Sequence, residues 1–265
     1  MPELADVEGF RRLLGGLDGA EVGSVEVMDQ AVIRNVDASG FRRALRRRRW
    51  RRPERIGKWL LASTDGPTIV FHFGMTGSLI WDATSPSRQG DDRLAFVTDA
   101  GELRFRDRRR LGRVYLATSA EEVDDVVGEL GPDALGVAAP VFRARLAARR
   151  STIKAALLDQ AGVAGLGNFL SDEVLWRAGI DPVTRTDQMS DAQWKALHGS
   201  SQSVLRAAAR AGHTPRGPRW LTGARWGDPA LCPSCGGRLE RRTVAGRTSV
   251  WCPRCQGPES RQASS

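Results

Sequence analysis

All four cysteines of the chain lie in one short C-terminal stretch: Cys232-Pro-Ser-Cys235, sixteen intervening residues, then Cys252-Pro-Arg-Cys255. Two Cys-x-x-Cys knuckles at this separation can close a tetrahedral four-thiolate zinc site, typically on a β-hairpin. Their grouping suits metal ligation in a reducing compartment better than a disulfide framework. With four protein ligands the ion has no open position, so its role is structural. The expected strands are Leu239–Thr243 and Thr248–Trp251. The tip Ala245-Gly246-Arg247 presents Arg247 either to a phosphate or simply to solvent.

The other end carries a chemical signal. The chain begins Met1-Pro2-Glu3. An initiator methionine before a proline is readily removed, which leaves the secondary amine of Pro2 at the terminus. An α-amino group titrates near ~8, so a neutral fraction can attack an electrophilic carbon and form an iminium. Glu3 stands beside it as a proton donor. Many chains start Met-Pro without catalytic purpose, so the dipeptide gains weight only from motifs elsewhere in the chain.

Glu3–Leu17 has apolar residues at helical spacing, so the terminus leads into a buried first helix. The pattern alternates from Val22 to Val36. Strand-like runs come next at Trp59–Ala62, Thr68–Phe73, Ser78–Trp81, Leu94–Thr98, Glu102–Arg106 and Arg113–Leu116, separated by glycine-containing turns. The segment Phe41–Arg55 interrupts them with nine arginines, readable as a solvated basic face or as a DNA contact. After about Ala120 the character turns helical, over Glu121–Leu130, Pro140–Arg150, Ser151–Gln160, Phe169–Gly179 and Ser190–Ala211. The expected divisions are 1–131 (β-rich), 132–222 (helical), 223–257 (zinc finger) and a disordered polar tail, 258–265.

Lys and Arg total 40 against 31 Asp and Glu, a net charge of +9. That balance favours a polyanionic partner, although an arginine-rich proteome would give it too. No apolar run reaches the ~18 residues needed to cross a bilayer, and no signal pattern opens the chain. A cytoplasmic, nucleoid-associated protein is expected.

Two further stretches carry chemistry. Ala161-Gly-Val-Ala-Gly-Leu-Gly-Asn168 allows tight turns before a helix, with Asn168 placed as its N-cap and free N–H groups available to a phosphate. Such connections are also common as plain structure. Phe71-His-Phe-Gly-Met-Thr-Gly-Ser78 runs a strand into a flexed turn with Met75 at its tip, either a gap filler or a wedge into a base stack. Asp107-Arg-Arg-Arg-Leu-Gly112 supplies a cation and an apolar plug, and His72 is either a phosphate contact or a structural histidine.

MPEL, RIGKWLL, FHFGMTGSL, DRRRLG, LGPDAL, GLGN and the paired Cys-x-x-Cys finger stand in this order from Met1 to Cys255. Together they resemble the formamidopyrimidine-DNA glycosylase and endonuclease VIII family of base-excision enzymes. The resemblance implies an α+β chain: an N-terminal β-sandwich flanked by helices, then a helix-two-turn-helix domain with the zinc finger, and damaged duplex DNA in the cleft between. It implies that Pro2 attacks C1′ of the damaged nucleotide while Glu3 protonates the opening sugar, Lys58 assists β-elimination, and Arg247 assists δ-elimination. It assigns lesion phosphates to His72, Lys154 and Asn168, with Arg149 in the same DNA-binding set. Met75, Arg109 and Leu111 fill the gap left by the flipped base. One structural zinc ion on Cys232, Cys235, Cys252 and Cys255, and a monomeric enzyme, complete the expectation.

The chain departs from the family pattern at Ala5, Asp6, Arg108 and Leu111. The interval His213–Leu231, 19 residues opening HTPRGPRW, is also too short for the flexible loop that caps 8-oxoguanine in this family. A more open pocket, taking further-oxidised, bulkier or pyrimidine bases, is expected. The competing readings are a family member specialised for bulky or alkylated lesions and a non-catalytic damaged-DNA binding protein.

Overall fold

The computed structural model describes residues 2–83 and 88–257. The tail 258–265, expected to be disordered, lies outside the described residues. The chain divides into two units: Pro2 with Asp6–Glu129, and Glu3–Ala5 with the chain from Leu130 onward.

In the first unit, helix α1 (Leu4–Gly15, its first residues counted with the second unit) precedes strand β1 (Ser24–Val27) and helix α2 (Ala38–Leu45). Among its described residues seven more strands follow: β2 (Glu54–Ile56), β3 (Trp59–Ser63), β4 (Thr68–His72), β5 (Gly77–Asp82), β6 (Asp92–Thr98), β7 (Gly101–Asp107) and β8 (Arg113–Ala117). They form two four-stranded sheets, ordered β1-β6-β7-β5 and β2-β3-β4-β8. Every pairing within these sheets is antiparallel.

The period-2 alternation explains the sandwich. Leu60, Phe71 and Val114 point inward to meet Phe96, Leu103 and Phe105 of the other sheet, and α1 and α2 add Val7, Leu14, Phe41 and Leu45 to the same core. Phe71 lies 5.7 Å from Phe105 and 6.3 Å from Phe96, ring centre to ring centre. On the opposite face Leu61 and Val70 are covered by Val123, Val126 and Val127 of α3 (Ala120–Val127).

The alternation expected over Val22–Val36 holds only for β1. Asp29 caps a short 3-10 turn at Gln30–Val32, its side chain accepting from Ala31 N, and this ends the strand. Within the arginine-rich segment α2 is a helix that the sequence pattern does not announce, buried only through Phe41 and Leu45.

The second unit is helical: α4 (Ala139–Ala147), α5 (Ile153–Leu158), α6 (Asn168–Arg177), α7 (Asp191–Ala211) and the short α8 (Leu221–Ala224). Ser190 and Gln193 form a capping box at the start of α7, and left-handed Gly212 ends it. The hairpin β9 (Glu240–Val244) and β10 (Arg247–Trp251) carries the finger, closed by α9 (Pro253–Gln256). Leu170, Val174, Trp194, Leu197 and Leu205 form the helical core, to which Leu4 and Ala5 belong.

Candidate active site

Three backbone N–H groups at the start of α6 converge on the fully buried carboxylate of Glu3. Gly167 N and Leu170 N each donate to Oε2 at 3.0 Å, and Phe169 N donates to Oε1 at 2.8 Å. The first turn of a helix has N–H groups without internal partners and the positive end of the helix dipole, so it favours an ionised carboxylate.

The glycine-rich turn before α6 is the socket for this arrangement. A Cβ on Gly167 would meet Glu3 Cδ at 2.3 Å, and one on Gly165, whose φ is +115°, would meet Leu4 Cδ1 at 2.4 Å. Leu4 N also donates to Gly165 O at 3.1 Å. Asn168, expected as the N-cap, is therefore the first helical residue. The cap position is Gly167, which has no side chain, and Glu3 supplies the acceptor from the far end of the sequence. Pro2, directly before Glu3, is half-buried.

Two expected phosphate ligands are engaged inside the second unit. Lys154 is fully buried, so it offers no surface to a lesion phosphate. Its ammonium pairs with Asp172 and donates to Asn168 O at 3.3 Å and Ser249 Oγ at 3.4 Å. Burial pushes Lys154 below the usual lysine range, against the opposing pull of Asp172. Asp172 also accepts from Ser249 Oγ at 2.6 Å, Val250 N at 3.1 Å and Arg225 Nη1 at 3.2 Å. The cluster ties α5, α6 and β10 together, and its paired charges satisfy one another away from water. Asn168 Nδ2 donates to Thr248 O at 3.0 Å, and exposed Arg149 pairs with Asp159 at 2.8 Å.

Arg247 is exposed and opens β10 immediately after Ala245 (φ +50°) and Gly246 (φ +69°). Two successive positive-φ residues make the tight hairpin turn that fixes where the arginine starts.

Nearby, the sulfur atoms of Cys232, Cys235, Cys252 and Cys255 all lie within 4.8 Å of one another, with Cys232 and Cys255 at 3.8 Å and Cys235 and Cys252 at 3.5 Å. A zinc tetrahedron with Zn–S bonds of about 2.3 Å needs sulfurs roughly 3.8 Å apart, so these four thiolates fit one structural zinc ion. Trp176 Nε1 donates to Cys232 Sγ at 3.3 Å and orients that ligand.

In the first unit, Lys58 occupies the two-residue turn Gly57-Lys58 between β2 and β3, and Trp59 pairs with His72 across β3 and β4. The His72 ring packs 4.8 Å from the Trp59 ring and accepts at Nδ1 from Gly74 N at 3.3 Å. Burial, then the charges of Lys58 and Arg113, lower its pKa to about 4. The ring is neutral at pH 7, and with Nδ1 accepting, Nε2 carries the proton and can donate.

Met75, Arg109 and Leu111 sit on two adjacent turns joined by Asp107, a residue that sequence reasoning does not single out. Asp107 is fully buried; its Oδ1 accepts from Thr76 Oγ1 and from Arg109 N (3.2 Å), and its Oδ2 accepts from Gly112 N at 2.6 Å. Arg109 N also donates to Thr76 Oγ1 at 3.0 Å. Gly74, with φ +56°, lies against the Leu111 backbone, where a Cβ would meet carbonyl atoms at 2.5 Å. Leu111 is 42% exposed and Arg109 is exposed, so a cation and an apolar side chain project from a rigid base. The sequence signal for Asp107 is an aspartate opening a glycine-ended turn, a pattern that often binds its own backbone.

Family models match the chain along most of its length: the formamidopyrimidine-DNA glycosylase N-terminal domain over residues 1–114, the formamidopyrimidine-DNA glycosylase H2TH domain over 130–216, and the zinc finger found in FPG and IleRS over 231–257. The formamidopyrimidine-DNA glycosylase of Acidothermus cellulolyticus is 35% identical, with 97% of each chain covered. That of Bacillus subtilis is 34% identical, covering 97% of this chain and 99% of its own. Among solved structures, the Lactococcus lactis enzyme bound non-covalently to DNA containing an abasic site matches with a TM-score of 0.84 at 27% identity, over 97% of this chain and 100% of its own. A variant of that enzyme with Fapy-dG DNA reaches 0.86 at the same identity and coverage. From the N-terminal domain to the finger, this chain belongs to the formamidopyrimidine-DNA glycosylase family.

Proposed function

We propose that this DNA glycosylase of base excision repair acts through the amine of Pro2, freed by removal of Met1. The Lactococcus lactis relatives hold abasic-site and Fapy-dG DNA, and damaged duplex DNA is the substrate class proposed here, bound by a monomer. The observation that carries the reading is the seat of Glu3: a buried carboxylate, adjacent to Pro2 in sequence, held by three N–H groups.

In the proposed reaction, Pro2 nitrogen bonds to C1′ as the glycosidic bond breaks and the base leaves. The proton lost by the nitrogen passes to the Glu3 carboxylate, which hands it to the sugar ring oxygen as the ring opens to an iminium. Loss of a C2′ proton then expels the 3′ phosphate, with Lys58 stabilising the departing charge. A second elimination, assisted by Arg247, expels the 5′ phosphate. His72 donates a neutral N–H to the lesion backbone, and Met75, Arg109 and Leu111 occupy the emptied stack. The zinc ion, held by the four cysteines, supplies only the rigidity of the finger.

Borohydride added during incubation with an abasic duplex tests the reading. A covalent protein–DNA adduct is expected, absent in Pro2→Gly and in protein whose terminal amine is blocked. No adduct with any duplex would leave a non-catalytic damaged-DNA binding protein. A second reading, specialisation for bulky or alkylated bases, draws support from the packed segment 213–231, which contains α8 and the buried Leu221, Thr222 and Arg225.

A further inference from the structure

Eight of the eleven positions from Arg42 to Arg52 are arginine, and all eight are exposed. The chain's overall arginine share would place only one or two there, so composition does not account for the cluster. Among the described residues only Arg49 of the eight has an ion-pair partner, Glu21 at 2.9 Å. Glu26 feels the charge of Arg42 but pairs with Arg88, and Asp65 Oδ1 is occupied by the backbone N–H of Arg49. Like charges at this density repel, and carboxylates normally interleave them on a passive surface.

The backbone beneath them is fixed. Arg47 N donates to Val22 O and Val22 N donates to Arg48 O, both at 2.8 Å, and Arg51 N donates to Ser63 O at 2.9 Å. Arg47 itself holds φ +62°, a conformation that is strained for a non-glycine residue and concentrates at sites of function.

The cluster is also remote from the turns that carry Met75. It is rooted at Thr64, Asp65 and Gly66, where Trp50 bridges Thr64 and the Arg48 side chain lies against Gly66. That is the Ser63–Thr68 end of the β3–β4 hairpin, whereas Lys58, His72 and Met75 lie at or beyond the Trp59–His72 end. Four strand steps separate Thr68 from His72, about 13 Å.

We infer that Arg42, Arg43, Arg46 and Arg47 form a second docking surface, for a segment of undamaged duplex DNA other than the one that carries the lesion. Phosphates of that segment neutralise the unpaired guanidinium groups, whose contacts carry no sequence information. Two surfaces on one chain let a second duplex dock before the first is released, a direct transfer between DNA segments.

The test tracks the rate at which the enzyme leaves a labelled abasic duplex of about 15 base pairs as unlabelled undamaged duplex is added. In wild type the rate rises with competitor concentration. In R42Q/R43Q/R46Q/R47Q the rise is lost, while single-turnover cleavage of the short abasic duplex stays within twofold. The log–log salt slope for undamaged duplex falls by roughly 2–4. The charge-keeping variant R42K/R43K/R46K/R47K retains the rise. A wild-type rate independent of competitor overturns the inference, and needs no variant to fold. So does an equal loss of affinity for the short abasic duplex in the glutamine variant, which would place the arginines on the lesion-bearing segment.

Discussion

Glu3 accepts a 2.8 Å hydrogen bond from the backbone N–H of Phe169, from 166 positions away in the sequence. With the bonds from Gly167 and Leu170, one side chain both caps α6 and stands next to the proposed nucleophile. In the proposed mechanism stability and chemistry meet in one carboxylate, and substitutions there separate them. Glu3→Gln keeps one acceptor oxygen but sets an amide NH2 where the other oxygen accepts from the helix, and it cannot take a proton; borohydride trapping on an abasic duplex is expected to fall at least ~100-fold, with a smaller loss of melting temperature than Glu3→Ala. Glu3→Ala removes the acceptor as well and leaves buried N–H groups unsatisfied. Its melting midpoint is expected to drop by roughly 4–10 °C, as about 2–3 kcal/mol is lost. Calorimetry beside the trapping assay checks both, and equal melting of the two variants would remove the capping role.

Asp107 makes an analogous link between turns. Its carboxylate accepts from Thr76 and from the Arg109 and Gly112 backbone, so the Met75 and Leu111 turns move as one piece. Asp107→Ala unties them and takes the acceptor away from the buried Gly112 N–H and the Thr76 hydroxyl. Single-turnover excision from a damaged duplex is expected to slow by ~10²-fold, the scale of a misplaced group of about 1 Å. Cleavage of a preformed abasic site, which needs no base to be expelled from the stack, is expected to fall less. Equal losses on the two substrates would argue against a wedge.

How far these features are legible in the sequence depends on the range of the interactions that make them. Short apolar runs such as Leu60, Leu61 and Ala62 announce a strand locally, and the observed β3 to β8 lie where their apolar patterns lie. The cysteine knuckles are equally local, and their sulfurs converge. Helix α2 is hidden because its buried face is only Phe41 and Leu45, surrounded by arginines that read as surface. The glycines at 165 and 167 are visible as a turn, but their reason is not, since it is the approach of Leu4 and Glu3. Lys154 looks like a surface cation because nothing near it in sequence announces Asp172 and Ser249.

The histidine gives a pH test. Burial, with Lys58 and Arg113 nearby, holds His72 at about 4, below its ordinary 6.5. A folded pKa depressed in this way means that stability attached to the neutral ring is present above about 6.5 and is lost as pH falls toward about 4. Between pH 8 and 6 the ring stays neutral, so the affinity ratio of wild type to His72→Gln for an abasic duplex is expected to be flat. Fluorescence anisotropy at several pH values reads it. A ratio that rises about tenfold on acidification to pH 6 would mean that the ring is charged when it meets phosphate.

Zinc removal should act on the finger before it acts on the rest of the chain. The four thiolates surround one site, Trp176 donates to Cys232, and the hairpin carrying Arg247 is closed by Cys252. Without the ion, four neighbouring thiols lose the bonds that hold the knuckles together, and structural zinc contributes directly to folding. One zinc per chain is expected by elemental analysis. Cys252→Ser is expected to lose the metal and weaken duplex binding by at least ~10-fold, while the melting of the β-sandwich core around Phe71 and Phe96 persists. Arg247→Ala should instead retain zinc and shift products from β,δ- to β-elimination on a sequencing gel.

The segment from His213 to Leu231 bears on lesion choice. It is packed along α6: Thr222 N donates to Glu173 Oε2 at 3.1 Å, Arg177 lies 4.5 Å from the Trp220 ring, and Leu221 and Arg225 are buried. Burial raises the pKa of Glu173, while Thr222 N and Arg177 favour its charged form, so releasing this segment would take the Thr222 donor away from that carboxylate. A Cβ on Gly223 would meet Arg216 O at 2.3 Å, which shows how closely the segment folds on itself. A stretch held this way has little freedom to close over an extruded base. Single-turnover excision of 8-oxoguanine is therefore expected to be at least ~10-fold slower than cleavage of an abasic site in the same sequence, with ring-opened or bulkier bases processed between the two. Comparable rates on 8-oxoguanine and abasic duplexes would show that recognition of the oxidised base comes from the fixed walls of the pocket and needs no mobile cap.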